Sequence, residues 1–457
     1  MLKSSVLKEL KKIVGPDNLY TSAEELVVYS YDATQQESLP WAVARPATAR
    51  EISELVKLAN RELFPVVPRG AGTGMSGGSV PVRGGVVLSL ERMNRILEID
   101  EENLIAVVEP GVITGDLQRE VEALGLFYPP DPASHRFCTI GGNVAECAGG
   151  LRAVKYGVTK DYVLGLEVVL PTGGIIKTGA RTAKSVAGYD LTKLIVGSEG
   201  TLGIATSITL KLLPLPESVR TLAAFFSDIG SAAEASSKIM ASRILPRALE
   251  FVDQAALRAV EGYLKEDLTG GAAAMLLVEV DGAAESTVRE ADRLEELMIR
   301  AGALRVNRAR SDEEREQLWK ARRSISPALY TLKPKKLNED IVVPRSKIPL
   351  ILLEIGAIAE RHGLLIVNFG HAGDGNIHTN IMIDEEERPR AEAAVKEIFA
   401  AVLRLGGSIT GEHGIGLSKA MYLPMELGPE ALGTMRRIKQ ALDPNNILNP
   451  GKIFLDA

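Results

Sequence analysis

Pro68-Arg69-Gly70-Ala71-Gly72-Thr73-Gly74-Met75-Ser76-Gly77-Gly78 follows a short apolar run, Phe64–Val67, that reads as a strand. Clustered glycines let main-chain N–H groups approach an anion closely, and a pyrophosphate is the natural guest. Gly72-x-Gly74-x-x-Gly77 formally meets the dinucleotide fingerprint. That fingerprint works only where the glycines open a helix whose N-terminus holds the phosphates. Here Val80–Gly85 leads into another strand-like run, Val86–Leu90, so a doubly wound NAD site is excluded. The Gly-Lys-Ser/Thr ending of a nucleoside-triphosphate loop is also missing. Taken alone, such a stretch could be a glycine-rich surface turn.

Working outward, it is not alone. Pro129-Pro130-Asp131-Pro132-Ala133-Ser134 leads to Thr139-Ile140-Gly141-Gly142-Asn143-Val144-Ala145 and then Gly149-Gly150. Tyr156-Gly157 and Gly197-Ser198-Glu199-Gly200-Thr201-Leu202-Gly203-Ile204 follow, with strand-like Val163–Leu170 and Ile204–Leu213 between and after them. Several loops rich in Gly, Ser and Thr on one strand-dominated region suit an extended cofactor gripped by main-chain groups. Before them, Val6, Leu7, Leu10, Ile13 and Val14 form a helical stripe ended by Gly15-Pro16. Thr48-x-x-Glu51 is a capping box for a second helix.

From about Thr221 to Arg310 the pattern becomes a compact α+β one. Strand-like Thr221–Phe226, Leu249–Val252, Ala274–Val280 and Leu304–Asn307 alternate with helical segments, which predicts a sheet with helices on one face. Ser311-x-x-Glu314 opens a further helix carrying Trp319, Arg322, Arg323 and Ser326 before Pro327. Arg322 and Ser326 stand one turn apart, on one helix face. Helical arginines are commonly paired with acids, and Asp312, Glu314 and Glu316 are close in sequence.

Gly370-His371-Ala372-Gly373-Asp374-Gly375-Asn376-Ile377-His378 lies between two apolar runs of strand length. Asp-Gly predicts a hairpin, and a two-residue turn at Asp374-Gly375 sets His371 opposite His378 and Phe369 opposite Asn380. Directly opposed residues have Cβ atoms about 4.5–5.5 Å apart, which lets two imidazoles converge on one ion. Gly411-Glu412-His413-Gly414 adds a carboxylate and a third imidazole in a chain with 5 His. Histidines often merely pack or hydrogen-bond; this grouping favours a metal or proton-transfer site. Asp374 is assigned to the turn rather than to the metal.

The 457 residues are too many for one core, so two or three domains are expected. A net charge of -6 argues against nucleic acid as the main partner. Two cysteines, Cys138 and Cys147, cannot hold an iron–sulfur cluster by four thiolates. The sequence contains no apolar run of transmembrane length and no signal-like N-terminus, which points to a cytoplasmic chain, with any membrane contact made through a partner.

The order of these motifs, from Pro68–Gly78 to Asn446-Ile447-Leu448-Asn449-Pro450-Gly451-Lys452, resembles that of the flavin-dependent D-2-hydroxy acid dehydrogenases. This group includes glycolate oxidase flavin subunits and D-lactate dehydrogenases of the vanillyl-alcohol oxidase superfamily. The resemblance implies an α+β fold: an FAD-binding domain of two subdomains (residues 1–215), a cap with the metal-binding hairpin (216–408) and a C-terminal segment (409–457) returning to the first. It implies FAD contacts from Arg69, Gly70, Ala71, Gly72, Thr73, Gly74, Met75, Ser76 and Gly77. Further contacts fall to Pro129, Asp131, Ser134, Thr139, Gly142, Asn143, Ala145, Gly149, Gly150, Tyr156, Gly157, Ile204 and Asn449. Ala71 stands near where covalent members carry a histidine, so non-covalent FAD is expected.

The resemblance also makes Arg322 the binder of a substrate carboxylate and Ser326 its hydroxyl neighbour. Asn338 falls where some relatives use a lysine, with Lys336 two residues away. His371, His378 and Glu412 would hold a divalent metal, zinc first with iron or manganese as alternatives, His413 would be the general base, and Asn380 would orient substrate. The implied reaction oxidises a D-2-hydroxy acid, D-lactate or glycolate foremost, by hydride transfer to flavin N5. Electrons leave to an external acceptor: an electron-transfer flavoprotein, a partner redox subunit, a quinone or a cytochrome. A homodimer or a hetero-complex is consistent with this. The same fold carries alkylglycerone-phosphate synthases, which use a run of consecutive histidines absent here, and a non-catalytic flavin subunit is a further alternative.

Overall fold

The computed structural model describes residues 2–34 and 36–455. The chain divides into two compact units, one of Met1–Gly149, Val158–Leu215 and Glu412–Ala457, the other of Gly150–Gly157 and Pro216–Gly411. Gly150–Gly157, expected in the first domain, joins the second for a packing reason. Leu151 adds to an apolar cluster of that unit, and Gly373 fits beneath Val154 so closely that a Cβ there would lie 2.7 Å from Val154 Cγ2.

The first unit holds two main sheets. In one, Leu19–Tyr20, Ala42–Ala44, Val86–Ser89 and Val66–Arg69 lie in that order, the last three mutually parallel. The helices Ser4–Val14 and Ala49–Glu62 share its core: Val6, Leu10, Ile52, Leu55 and Val56 cluster with Val66, Val86 and Leu88. Gly15 ends the first helix at φ 86, and the Thr48 side chain accepts from Glu51 N to start the second. The other sheet is antiparallel, in the order Ile96–Asp100, Ile105–Val108, Ile204–Lys211, Val163–Val169 and Ile175–Gly179. The C-terminal segment is built into this unit: Val66 N donates to Ile447 O (2.7 Å) and Asn449 N to Val66 O (2.8 Å).

The second unit is organised on one seven-stranded antiparallel sheet. Its order is Arg305–Arg308, Ser218–Phe226, Ala274–Gly282, Ala248–Asp253, Leu365–His371, Asn376–Ile383 and Lys335–Val342. Helices lie on both faces, not on one as the alternation of elements suggested. Phe225, Val252, Met275 and Leu277 pack with Ala256, Leu257 and Val260 of the helix Gln254–Leu264, whereas Ile229–Ala241 and Ala284–Arg300 touch the same strands and bury Ile239, Leu294 and Met298. The reason is legible in hindsight. Ala248–Asp253 and Asn376–Ile383 are buried at every position, so both side-chain parities need cover.

The helix expected to carry both Arg322 and Ser326 is broken at Ser324. Asp312–Arg323 ends there and Ile325–Leu329 restarts. Pro327 has no N–H to give the carbonyl four residues back, and its ring crowds that carbonyl at Arg323. No helix among the described residues is long and apolar enough to cross a membrane.

Candidate active site

In the first unit the glycine-rich loops converge on one cavity. Arg69–Met75, Pro132–Ser134, Cys138–Thr139, Gly141–Glu146, Ala148–Gly149, Ser198–Gly200 and Gly203–Ala205 line it, with Glu412 and His413. Its shape follows from positions where no side chain fits. Gly72 has φ +70, and a Cβ on it would lie 2.2 Å from Arg69 Nη2. A Cβ on Gly70 would lie 2.5 Å from Thr139 Oγ1, the atom that accepts from Gly142 N to cap the helix Ile140–Glu146. Arg69 folds back beneath the turn, Nη1 donating to Tyr31 O (2.8 Å) and Ser79 Oγ (3.1 Å), and burial pushes its guanidinium below the ordinary value. The wall is therefore mostly backbone, as an extended anionic cofactor requires, and the glycine run leads into no helix.

Arg69, Gly70, Ala71, Gly72, Thr73, Gly74, Met75, Ser134, Thr139, Gly142, Asn143, Ala145, Gly149 and Ile204 all line this cavity. Eight other expected contacts do not. Ser76 and Gly77 turn away, Ser76 O accepting from Leu417 N (2.7 Å) and Gly77 packing on Leu417. Asn449 ties loops together, Nδ2 donating to Gly78 O (2.9 Å) and Glu199 O (2.8 Å). Pro129 and Asp131 are buried and outside the lining, which takes up the chain at Pro132. Gly150, Tyr156 and Gly157 belong to the second unit, where Tyr156 donates to Asp281 Oδ2 (2.8 Å).

Glu146 and Glu199 are wall residues that the motifs did not single out. Glu199 sits at φ +53, unusual for a residue with a side chain, and burial raises its carboxyl. Its two oxygens accept from Ile415 N (2.8 Å) and Gly416 N (2.7 Å), which fixes the turn after His413.

In the second unit the hairpin register differs from the expected one by two residues. His371 pairs with Asn376, Phe369 with His378, and Val367 with Asn380. The turn is wider because its backbone is claimed from outside: Gly373 N donates to Leu249 O (3.2 Å), and Gly375 O accepts from Val343 N (3.1 Å). Asp374 Oδ1 accepts from Asn376 N (3.2 Å), so the aspartate does serve the turn. A two-residue slip preserves side-chain faces. His371 and His378 become diagonal neighbours on one face, Nε2 to Nε2 3.4 Å, rings 87° apart. Two nitrogens bound at about 2.0–2.1 Å to one tetrahedral ion would be about 3.4 Å apart, so the pair fits a shared cation.

Behind them stands Glu250, the register partner of His371 and wholly buried. Its Oε1 lies 2.6 Å from His371 Nδ1, and its Oε2 accepts from Arg322 Nε (2.8 Å) and Nη2 (2.7 Å). Glu250, not one of the helical acids near in sequence, is thus the partner of Arg322, whose guanidinium also stacks on Phe369 at 4.7 Å. Sequence reasoning passed over Glu250. Its signal was an acid inside the apolar run Ala248–Val252, where burial demands a partner. Lys336, rather than Asn338, reaches Ser326: Nζ donates to Oγ at 2.9 Å, and burial pushes the ammonium below its ordinary value. Asn338 instead donates to Asn380 Oδ1 (2.6 Å). Asn380 is wholly buried, its Nδ2 donating to His378 O at 3.1 Å.

Glu412 follows Gly411, the last residue of the second unit, by one peptide bond. Gly411 N donates to buried Asp340 through both O (2.9 Å) and Oδ2 (2.9 Å), and Gly411 sits against Asn376, the pair of His371.

In fold the chain is of the vanillyl-alcohol oxidase type. A solved p-cresol methylhydroxylase with substrate bound superposes with TM-score 0.83 at 20% identity, over 99% of this chain and 97% of that one. Residues 40–179 match the FAD binding domain and residues 215–453 the C-terminal domain of FAD linked oxidases, so the chain belongs to the FAD-linked oxidases and is an FAD-dependent oxidoreductase. It is 49% identical to the glycolate oxidase subunit GlcD of Bacillus subtilis (strain 168), over 99% of this chain and 97% of that protein. It is 38% identical to a D-lactate dehydrogenase of Anaerostipes hadrus, over 92% of each.

Proposed function

We propose that the chain oxidises a small D-2-hydroxy acid, D-lactate or glycolate foremost, to the 2-oxo acid. The observation that carries this reading is the buried constellation of the second unit: a histidine pair with facing Nε2 atoms, and a guanidinium held by the same glutamate that holds one of them. The two named relatives act on acids of this class by their names.

Arg322, with Nη1 and the outer edge of Nη2 turned away from Glu250, binds the carboxylate by two parallel hydrogen bonds, and Ser326 with Lys336 adds a second polar anchor. His413 takes the hydroxyl proton as general base. FAD, held non-covalently by the main-chain-lined cavity beside Ala71, supplies the acceptor for the hydride that leaves C2. A divalent ion on His371, His378 and Glu412 (zinc, with iron and manganese as alternatives) would supply Lewis acidity that lowers the hydroxyl pKa. The proton and the hydride together account for the two hydrogens lost, leaving the C2 carbonyl. Electrons then pass to an external acceptor: a partner redox subunit, an electron-transfer flavoprotein, a quinone or a cytochrome. That GlcD is named a subunit supports such a partner.

An anaerobic stopped-flow panel of D- and L-2-hydroxy acids tests this, with and without chelator. The expected result is bleaching of the flavin by D-lactate or glycolate, slowed by chelation. Bleaching by none of the acids would sink the reading.

A further inference from the structure

We propose that Glu250 is a positioning residue that couples the substrate-binding guanidinium to the metal-ligand imidazole; this rests on the roles given above to Arg322 and His371. Buried acids elsewhere in the same sheet serve the frame. Glu279 accepts from Thr221 Oγ1 (2.6 Å) and Trp319 Nε1 (2.7 Å), and Asp281 from Lys155 and Tyr156. Glu250 differs because both of its oxygens face a residue assigned to chemistry, and it is 0% exposed.

Its two contacts fix two separate degrees of freedom. The 2.6 Å contact with His371 Nδ1 holds the proton on that nitrogen, which leaves the Nε2 lone pair directed at the 3.4 Å gap shared with His378. The two contacts with Arg322 set the plane of the guanidinium over Phe369 and leave its other edge for a carboxylate. An acid is required for both at once. A glutamine has one acceptor oxygen, so satisfying Arg322 turns its NH2 on Nδ1 and drives the imidazole proton to Nε2, the nitrogen needed for the metal. One carboxylate thus sets the ligand tautomer and the substrate anchor together. Distortion at either end is transmitted to the other through a group that touches neither metal nor substrate.

The test compares parent and Glu250→Gln proteins, both carrying FAD. Zinc affinity is measured by competition with a chromophoric chelator, and D-lactate affinity by the concentration dependence of flavin bleaching. Glu250→Gln is expected to lose 10–100-fold in zinc affinity, the usual cost of removing a partner of a ligand imidazole. It is also expected to lose at least about tenfold in D-lactate affinity, with FAD content and the oxidised flavin spectrum unchanged. Arg322→Lys, a milder change that touches no proposed ligand, should move zinc affinity at least about threefold through Glu250. Zinc and D-lactate affinities within twofold of the parent in Glu250→Gln overturn the proposal, as does unchanged zinc affinity in Arg322→Lys should the first variant not fold. A parent chain that binds no zinc overturns the metal reading itself. The D-lactate affinity of Glu250→Gln then decides the positioning role, unchanged affinity overturning it.

Discussion

The two units approach their ligands by opposite means. The first unit surrounds its cavity largely with backbone, and its decisive residues are ones that lack a side chain: Gly70 and Gly72. The second unit concentrates Glu250, Arg322, His371 and His378 in a buried interior, and everything depends on what those side chains hold. Backbone amides can follow a long cofactor whose outline is the same in every turnover. Discrimination among small acids and movement of protons need groups with pKa values and lone pairs, and those groups must be buried and paired to stay in place. His413 is one exception that sharpens the contrast, a titratable side chain on a wall that Glu146, Glu199 and Glu412 also share.

That exception supplies the largest expected effect. His413→Asn should slow flavin reduction by substrate about 10²–10⁴-fold while FAD stays bound, as read by stopped-flow bleaching and by flavin absorbance of the purified protein. Normal bleaching would remove the base from this position. Next, Gly72→Val should yield colourless protein, because a β-branched residue at φ +70 with its Cβ 2.2 Å from Arg69 must reshape the turn. Thr73→Ala, on the same loop, should keep FAD affinity within about tenfold, the scale of one neutral hydrogen bond. If the threonine mattered more than the glycine, the backbone account of this cavity would fail.

The smallest effect concerns the frame of the second unit. Asp253 caps the helix Gln254–Leu264 and accepts from Asn368 N (2.6 Å), and burial pushes its carboxyl up to about 6. The folded value is raised, so between about pH 4 and 6 the native chain keeps a proton that the unfolded chain has lost, and stability falls as pH rises through that window. The loss should be on the order of 2–3 kcal/mol, complete above about pH 6. Urea midpoints at pH 4.5 and 6.5 measure it, and Asp253→Asn should flatten the difference; an undiminished slope would place the titration elsewhere.

The cofactor loops were legible because glycine spacing and the missing helix after Gly77 are local facts. The histidines were legible for the same reason, being seven residues apart across a turn. Their register was not. The turn is opened by Leu249 and Val343, far away in the chain, and no Asp-Gly rule can anticipate a carbonyl claimed by another strand. The break between Arg322 and Ser326 was half visible in Pro327. Lys336 and Ser326 meet only because the strand Lys335–Val342 brings the lysine back to the helix Ile325–Leu329.

What the sequence determined by itself is the kind of ligand each region can take, since that depends on residue types and short spacings: backbone for a pyrophosphate, imidazoles for a cation, a guanidinium for a carboxylate. What only the tertiary structure decided is which buried charge answers which. The contact between Glu250 and His371 spans 121 residues and exists because two strands pair in one register. A charge buried out of water must find its counterpart through the fold, wherever the chain happens to carry it.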